Sequence, residues 1–200
     1  MSNRFNQVET LFGEKWYEAP FQYALRFELA QGTFWTNRLG TAVHRAMTII
    51  DSALEEAEDL HLGIVRYFDN EQAYGRAMKV LSESIDIYGL PSIKEFTSRI
   101  YLHDEEIEAS AWAGVSPLKR EHVGRAVWAA ISCDFGSLLP ASPGRVYIIS
   151  CSRGLLCHPY DDRGMDVRGL SREALQGLYL KHNDWLLDYD RAKMDSIFGL

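Results

Sequence analysis

Apolar and polar residues alternate along several short stretches of this chain, a pattern that predicts β-strands. In the clearest stretch, 21–30, every second residue is apolar: Phe21, Tyr23, Leu25, Phe27 and Leu29. Other runs that favour strands are 60–68, 94–103, 106–113, 145–151 and 155–158. Between neighbouring runs, the polar segments His103–Glu106 and Arg153-Gly154 predict hairpin turns.

Elsewhere the apolar residues recur at intervals of three and four, which predicts helices. Thr36 or Asn37 can cap the first helix and Ser171 the fourth. Ser116-Pro117 predicts the start of the third, because a capping hydroxyl precedes a proline at the first helical position. The predicted helices cover Asn37–Ala57, Asn70–Gly89, Ser116–Gly136, Ser171–Tyr179 and about 184–198.

Strands and helices mix along the chain without the strict alternation that builds a parallel sheet. We therefore expect an α+β fold with a mainly antiparallel sheet and helices packed on it. A length of 200 residues suits a single domain over 1–200. The loop 138–144 is the best candidate for an internal boundary, but too few residues follow it to form a second domain.

The charge balance narrows the possible partners. The chain has 21 Lys and Arg against 28 Asp and Glu, which gives a net charge of −7. Nucleic-acid binding requires clustered positive charge, so we expect no nucleic acid and favour a protein partner with a basic face. No run is apolar enough for a signal peptide or a membrane span, so we expect a cytoplasmic protein that does not bind membranes. Cys133, Cys151 and Cys157 follow no metal-binding spacing and are expected to be free thiols.

The densest polar segment is 160–166. Its carboxylates are Asp161, Asp162 and Asp166. One interpretation is a tight turn, in which Asp accepts local backbone hydrogen bonds, Gly164 takes a positive φ and Arg163 pairs with one Asp. A second interpretation is a contact with a partner protein. A third is a Mg²⁺ or Ca²⁺ site, because these ions prefer oxygen ligands.

Two further clusters each place four carboxylates within five residues. The first lies at the C-terminal end of a predicted helix, where negative charge is unfavourable for the helix dipole. It consists of Glu55, Glu56, Glu58 and Asp59. The second lies in a predicted hairpin turn beside Trp112 and consists of Asp104, Glu105, Glu106 and Glu108. A charged rim around an aromatic side chain is typical of protein interfaces, and ordinary solvated surface is the alternative.

The adjacent pair Cys157-His158 does not indicate nucleophilic catalysis. Neighbouring residues on a strand face opposite sides of the sheet, so the two side chains cannot meet. We expect Cys157 to be buried and His158 to lie on the surface or in a turn. The six His are scattered and are expected to be structural. The sequence thus predicts no catalytic residue, no metal ligand and no cofactor.

The C-terminal third resembles a known bacterial family in three segments: Tyr160–Val167, Leu175-x-x-Leu178-Tyr179 and Asn183–Asp190. Nearer the N-terminus, Arg26–Leu29 before a helix and Tyr67-Phe68 at a strand end are compatible with it. The family is domain of unknown function 3885, and the resemblance is strongest over 145–195. It implies a compact bacterial cytosolic domain and supplies no catalytic residues.

We expect a non-enzymatic binding protein and, more specifically, an immunity protein that neutralises a bacterial toxin domain with a basic face. Clustered carboxylates would speed association with such a partner. The predicted contact residues are Asp104, Glu105, Glu106, Glu108, Trp112, Asp161, Asp162, Arg163 and Asp166. Two alternatives stay open: a metal-dependent hydrolase that uses the three carboxylates of segment 160–166, and a structural interaction module.

Overall fold

A computed structural model describes residues 4–18, 21–30, 32–67, 79–85, 92–102, 105–135, 138–142 and 144–199. Its strands are β1 (Tyr23–Glu28), β2 (Leu60–Tyr67), β3 (Ser92–Leu102), β4 (Glu105–Pro117), β5 (Arg145–Ser150), β6 (Leu155–Pro159) and β7 (Gly164–Gly169). Within the described residues these seven strands form one sheet in the order β1-β7-β6-β5-β2-β4-β3. Every neighbouring pair is antiparallel.

The helices are α1 (Arg4–Phe12), α2 (Trp35–Ala53), α3 (Val123–Ile131), α4 (Arg172–Lys181) and α5 (Arg191–Phe198). Residues 79–84 are also helical. Helix α2 packs against α3 and α4, and α4 packs against β1 and β7. The predicted α+β fold with a mainly antiparallel sheet is therefore confirmed.

Both faces of the sheet are covered at its centre, and the strands there are apolar on both sides. All of β6 and all of β5 except Arg145 are buried. On one face of the sheet, Leu25, Phe27 and Ile64 pack with the apolar sides of α2, α3 and α4 in a single core. On the opposite face a smaller core forms beneath α1 and the turn that follows it.

Trp16 centres the smaller core. It is fully buried and meets the ring of Tyr147 edge-on, with ring centroids 5.1 Å apart. The indole lies directly over Gly63 of β2, where a Cβ would fall 2.6 Å from Trp16 Cη2. A residue without a side chain is therefore needed at position 63 for the indole to reach the sheet.

Three predicted helix boundaries are wrong. Helix α2 begins at Trp35 after Phe34, whose side chain makes no capping hydrogen bond, so neither Thr36 nor Asn37 caps it. Ser116-Pro117 does not start a helix, because β4 continues to Pro117 and α3 begins at Val123 after a 3-10 turn. The tertiary pairing of β4 with β2 overrides the local helix-start pattern.

The region 184–198 is not one helix. It forms two 3-10 turns, Asn183–Trp185 and Asp188–Asp190, before α5 begins. Between these turns the chain lies along the edge of the sheet, where Leu187 donates its N–H to Arg26 O at 2.9 Å. The backbone pairing with β1 explains why the helix starts late. Ser171, by contrast, caps α4 as predicted and accepts from Ala174 N.

Both predicted hairpins are confirmed. The pairing of β5 with β6 places Ser150 opposite Leu155, with a turn at Arg153-Gly154 in which Gly154 has a φ of 60°. The pairing of β3 with β4 continues as far as Leu102 opposite Glu105, so Glu105 and Glu106 belong to β4 and not to the turn expected there. Most of the predicted helix Asn70–Gly89 lies outside the described residues.

Candidate functional site

The polar segment 160–163 is the tight turn that joins β6 to β7. Tyr160 N donates to Gly164 O at 3.2 Å, and Arg163 N donates to Asp161 Oδ1 at 2.7 Å. The hairpin places Pro159 opposite Met165 just below the turn. The interpretation as a turn held by local hydrogen bonds to Asp is confirmed.

Glycine is needed at position 164 for a reason other than the one expected. Its φ is not among the positive values of the described glycines, so the expected left-handed conformation is wrong. A Cβ at this position would instead collide with the hydroxyl of Tyr160 and lie 2.9 Å from the carbonyl oxygen of Phe27. Gly164 therefore lets the turn close tightly onto β1.

Asp161 and Asp162 pair with different arginines. Arg163 donates through Nε to Asp161 Oδ2 at 2.8 Å and also contacts that oxygen through Nη2. Asp162 Oδ2 lies 2.7 Å from Arg38 Nη2, which comes from the first turns of α2. The two neighbouring carboxylates are thus matched by one arginine from the turn itself and one from α2.

In both ion pairs the carboxylate is buried and the arginine is the more exposed partner. The side chain of Asp161 is 6% exposed while that of Arg163 is 72% exposed. For Asp162 and Arg38 the values are 6% and 33%. This acidic turn therefore presents Arg163 to solvent.

Asp166 occupies a third such network on the face of the sheet that carries Trp16. Arg26 Nε donates to Asp166 Oδ1 at 2.9 Å, and Arg26 Nη1 donates to Asp190 Oδ2 at 2.7 Å. Arg168 lies 3.5 Å from the other oxygen of Asp166. The hydrogen bond to Asp166 is the main reason why the pKa of Arg26 is raised, and this guanidinium stays charged.

His158 lies next to Asp166 in the strand register and is buried, so the expectation of a surface or turn position is wrong. Its ring stacks on Tyr147 at a centroid distance of 4.3 Å. Neither ring nitrogen has a hydrogen-bond partner among the described residues. Burial, followed by the charges of Arg168 and Arg145, lowers its pKa to about 3, which keeps the imidazole neutral.

The cysteines are free, as predicted, and Cys157 is buried. Burial raises the pKa of Cys157 to about 12 and that of Cys151 to about 11. Both groups are therefore protonated thiols near neutral pH and are poor nucleophiles.

An exposed aromatic pair lies beside the turn. Phe34 and Trp35, at the start of α2, are 73% and 56% exposed. The ring of Phe135, which follows α3 in the chain, has its centroid 6.1 Å from the centroid of the Trp35 ring. Because Arg38 follows one turn later on α2 and reaches Asp162, the aromatic pair and the turn form one surface. We call the surface formed by Phe34, Trp35, Arg38 and Arg163 the aromatic–arginine corner.

The other predicted contact residues are described in part. Asp104 lies outside the described residues, and Glu105, Glu106, Glu108 and Trp112 lie on β4 with side chains that are not described. Their role in partner binding stays a prediction. So does that of Asp161, Asp162 and Asp166, whose negative charges are matched by arginines within the chain.

The cluster at the C-terminal end of α2 is different. Glu55, Glu56 and Glu58 are exposed. Asp59 instead accepts hydrogen bonds from Ser150 Oγ, Ser152 Oγ and Ser152 N at 2.6–2.7 Å. Three of the four carboxylates in this cluster therefore face solvent.

The structure does not assemble a metal centre from the residues it describes. In that part of the chain, no group of three His, Cys, Asp or Glu side chains is placed to hold a metal ion. None of the helices found there is long and apolar enough to cross a membrane.

Sequence reasoning missed Phe34, Trp35 and Arg38. The available signal was a pair of adjacent aromatic residues at a helix start, where no periodic pattern assigns either of them to the core. Asp166 and Asp190 lie in two of the segments that carry the family resemblance, and in the structure both pair with Arg26, which lies in a segment compatible with it.

Comparison with models of protein families gives a match to the Domain of unknown function (DUF3885) over residues 5–190. The match covers nearly the whole chain, so the protein belongs to this family, and the resemblance over 145–195 extends far beyond that region. Searches of curated proteins and of solved structures found no match.

Proposed function

We propose that this protein is a non-enzymatic binding protein whose contact surface is the aromatic–arginine corner. The observation that carries the proposal is the exposure of Phe34 and Trp35 on a helix that is anchored in the core. Aromatic and arginine side chains are enriched in protein interfaces and among the residues that dominate their binding energy. Since α2 is held by packing on one side, little order is lost when these two rings become buried against a partner.

The more specific proposal is an immunity protein, which binds a toxin domain in the cytoplasm and neutralises it. The proposed mechanism is steric, with the corner covering the active site of the toxin. The net charge of −7 and the exposed Glu55, Glu56 and Glu58 support attraction of a toxin with a basic face, because complementary charge raises the association rate.

The test is affinity purification of the tagged full chain from its native cell, followed by mass spectrometry and by co-expression of any partner found. We expect a stoichiometric partner that is toxic alone and harmless when co-expressed with this chain. The double substitution Phe34→Ala and Trp35→Ala should abolish both recovery and protection.

The matched control is Leu180→Ala, which removes another exposed apolar side chain, on α4. Lys181, its neighbour, contacts Ser52 near the other end of α2, so this substitution leaves the corner intact. A non-toxic partner would disprove the immunity role, and a partner recovered equally well by the double variant would disprove the proposed contact surface.

A further inference from the structure

We propose that the aromatic–arginine corner binds an acidic segment of a partner protein, in which Asp or Glu side chains lie beside an apolar one. This inference rests on the proposed function and specifies the chemistry of the partner at that site. It reverses, at this one surface, the preference for a basic partner that the net charge alone favours.

The first argument is the direction of the ion pairs. The side chains of Asp161 and Asp162 are buried, whereas that of Arg163 is 72% exposed and that of Arg38 is 33% exposed, so each pair is more accessible from its positive end. On the adjoining face of the sheet Arg26 is likewise more exposed than Asp166, but its Nη1 is already paired with Asp190. A carboxylate that approaches this edge of the molecule meets the guanidinium groups before it meets the buried aspartates.

The second argument is preorganisation. Arg163 is held by its bonds to Asp161, and Arg38 lies within ion-pair distance of Asp162. Arginine is suited to this role, since its planar guanidinium presents several donors and binds carboxylates in pairs of parallel hydrogen bonds. Fixing the side chain in advance lowers the entropy lost when a partner carboxylate binds.

The third argument is the exposed apolar surface next to Arg38. Phe34 and Trp35 are exposed next to Arg38, and the Trp35 ring is backed by Phe135. An acidic segment that also carries an apolar side chain would bury these rings while its carboxylates contact the arginines. A nucleic acid fits less well, because its affinity depends on many phosphate contacts and the corner offers only Arg38 and Arg163.

The experiment is selection of random peptides displayed on phage against the full chain, with the Trp35→Ala variant for counter-selection. We expect peptides that lose binding to Trp35→Ala to be enriched in Asp and Glu next to a large apolar residue. Synthetic copies of these peptides should bind the wild-type chain at least about tenfold more tightly than the variant. Their affinity should also fall as salt is raised, because exposed charges are screened.

Arg163→Lys separates the role of the guanidinium from that of charge alone. It keeps a cation beside Asp161 and should weaken the selected peptides several-fold, whereas Leu180→Ala should leave their affinity unchanged. Enrichment of Lys and Arg among the Trp35-dependent peptides would overturn the inference, and so would the absence of any such peptides. A toxin captured through Trp35 from the native cell would in that case still support the proposed function, so the two failures are distinguishable.

Discussion

Two acidic segments of the sequence have opposite environments in the structure. Glu55, Glu56 and Glu58, at the C-terminal end of α2, are exposed. Asp161 and Asp162, beside the N-terminal end of the same helix, are buried and paired with arginines. A helix of 19 residues is about 28 Å long, so the two segments are at opposite ends of one rigid element.

The difference depends on which elements of the fold supply arginines to each segment. Arg163 is local, but Arg38 comes from α2 and Arg26 from β1, and only the folded chain brings them to the turn. No comparable cation is found in an ion pair with Glu55, Glu56 or Glu58 among the described residues. The density of acidic residues in a sequence therefore does not determine the charge that a surface presents.

The largest expected effect comes from removing a buried carboxylate. Asp166→Asn should lower the free energy of unfolding by about 3 kcal/mol, because Arg26 and Arg168 lose the carboxylate that they share. Urea denaturation followed by circular dichroism measures this. The matched change at the exposed segment, Glu58→Gln, should stay within about 0.5 kcal/mol. Equal losses at the two sites would remove the distinction between them.

The close packing of the turn gives the next effect. Gly164→Ala should cost about 2 kcal/mol, since the added methyl group must displace Tyr160 or the backbone at Phe27. On α2, Gly40 has nothing within 4 Å of an added Cβ, and Gly40→Ala should stabilise the chain by about 0.8 kcal/mol. Thermal unfolding of both variants tests the opposite signs. Stabilisation by Gly164→Ala would show that the turn is looser than described.

Acid should destabilise the folded chain through His158, which is buried opposite the paired carboxylate Asp166. His158 has a pKa of about 3 when folded and near 6.5 when unfolded, so the unfolded state binds the extra proton as the pH falls below 6.5. We expect a loss of about 2 kcal/mol between pH 7 and pH 5. Chemical denaturation across this range measures it.

The control for the acid effect is His158→Phe, which keeps a ring against Tyr147 and removes the titrating group. Its stability should fall much less between pH 7 and pH 5, and the remaining loss should come from His182, whose pKa is also lowered by burial. A slope as steep as that of the wild-type chain would assign the effect to another residue.

The smallest effect concerns the exposed segment. Glu56 has a φ of 60°, a left-handed conformation that glycine adopts without strain. Glu56→Gly should therefore stabilise the chain by about 0.5 kcal/mol, as relief of strain outweighs the added freedom of the unfolded state. Denaturation midpoints resolve a change of this size. A loss of stability would mean that the Glu56 side chain makes a favourable contact.

Much of the fold was predictable because burial imposes periodic patterns. The alternation over 21–30 identified β1, and the runs on either side of Arg153-Gly154 identified a hairpin. Local patterns that fit more than one kind of secondary structure were less informative. Ser116-Pro117 is a good helix start in isolation, but pairing with β2 makes it the end of a strand.

The candidate site was predictable only in part. The segment 160–166 was identified by its density of polar residues, and a local pairing of Arg163 with one of its aspartates was foreseen. The partners Arg26 and Arg38 were not, because they are more than a hundred residues away in sequence and become neighbours only through the sheet order and the packing of α2. Trp35 was missed because an exposed aromatic residue leaves no periodic signal.

The sequence by itself determined the fold class, the family and the positions of most strands, since each depends on local patterns of burial or on motifs that stand in order along the chain. The tertiary structure alone decided which charges face solvent. That choice depends on side chains from β1, α2 and the turn 160–163, and the cost of burying a carboxylate without a partner forces them together. The exposure of the arginines beside Phe34 and Trp35 results from this pairing of arginines with buried carboxylates.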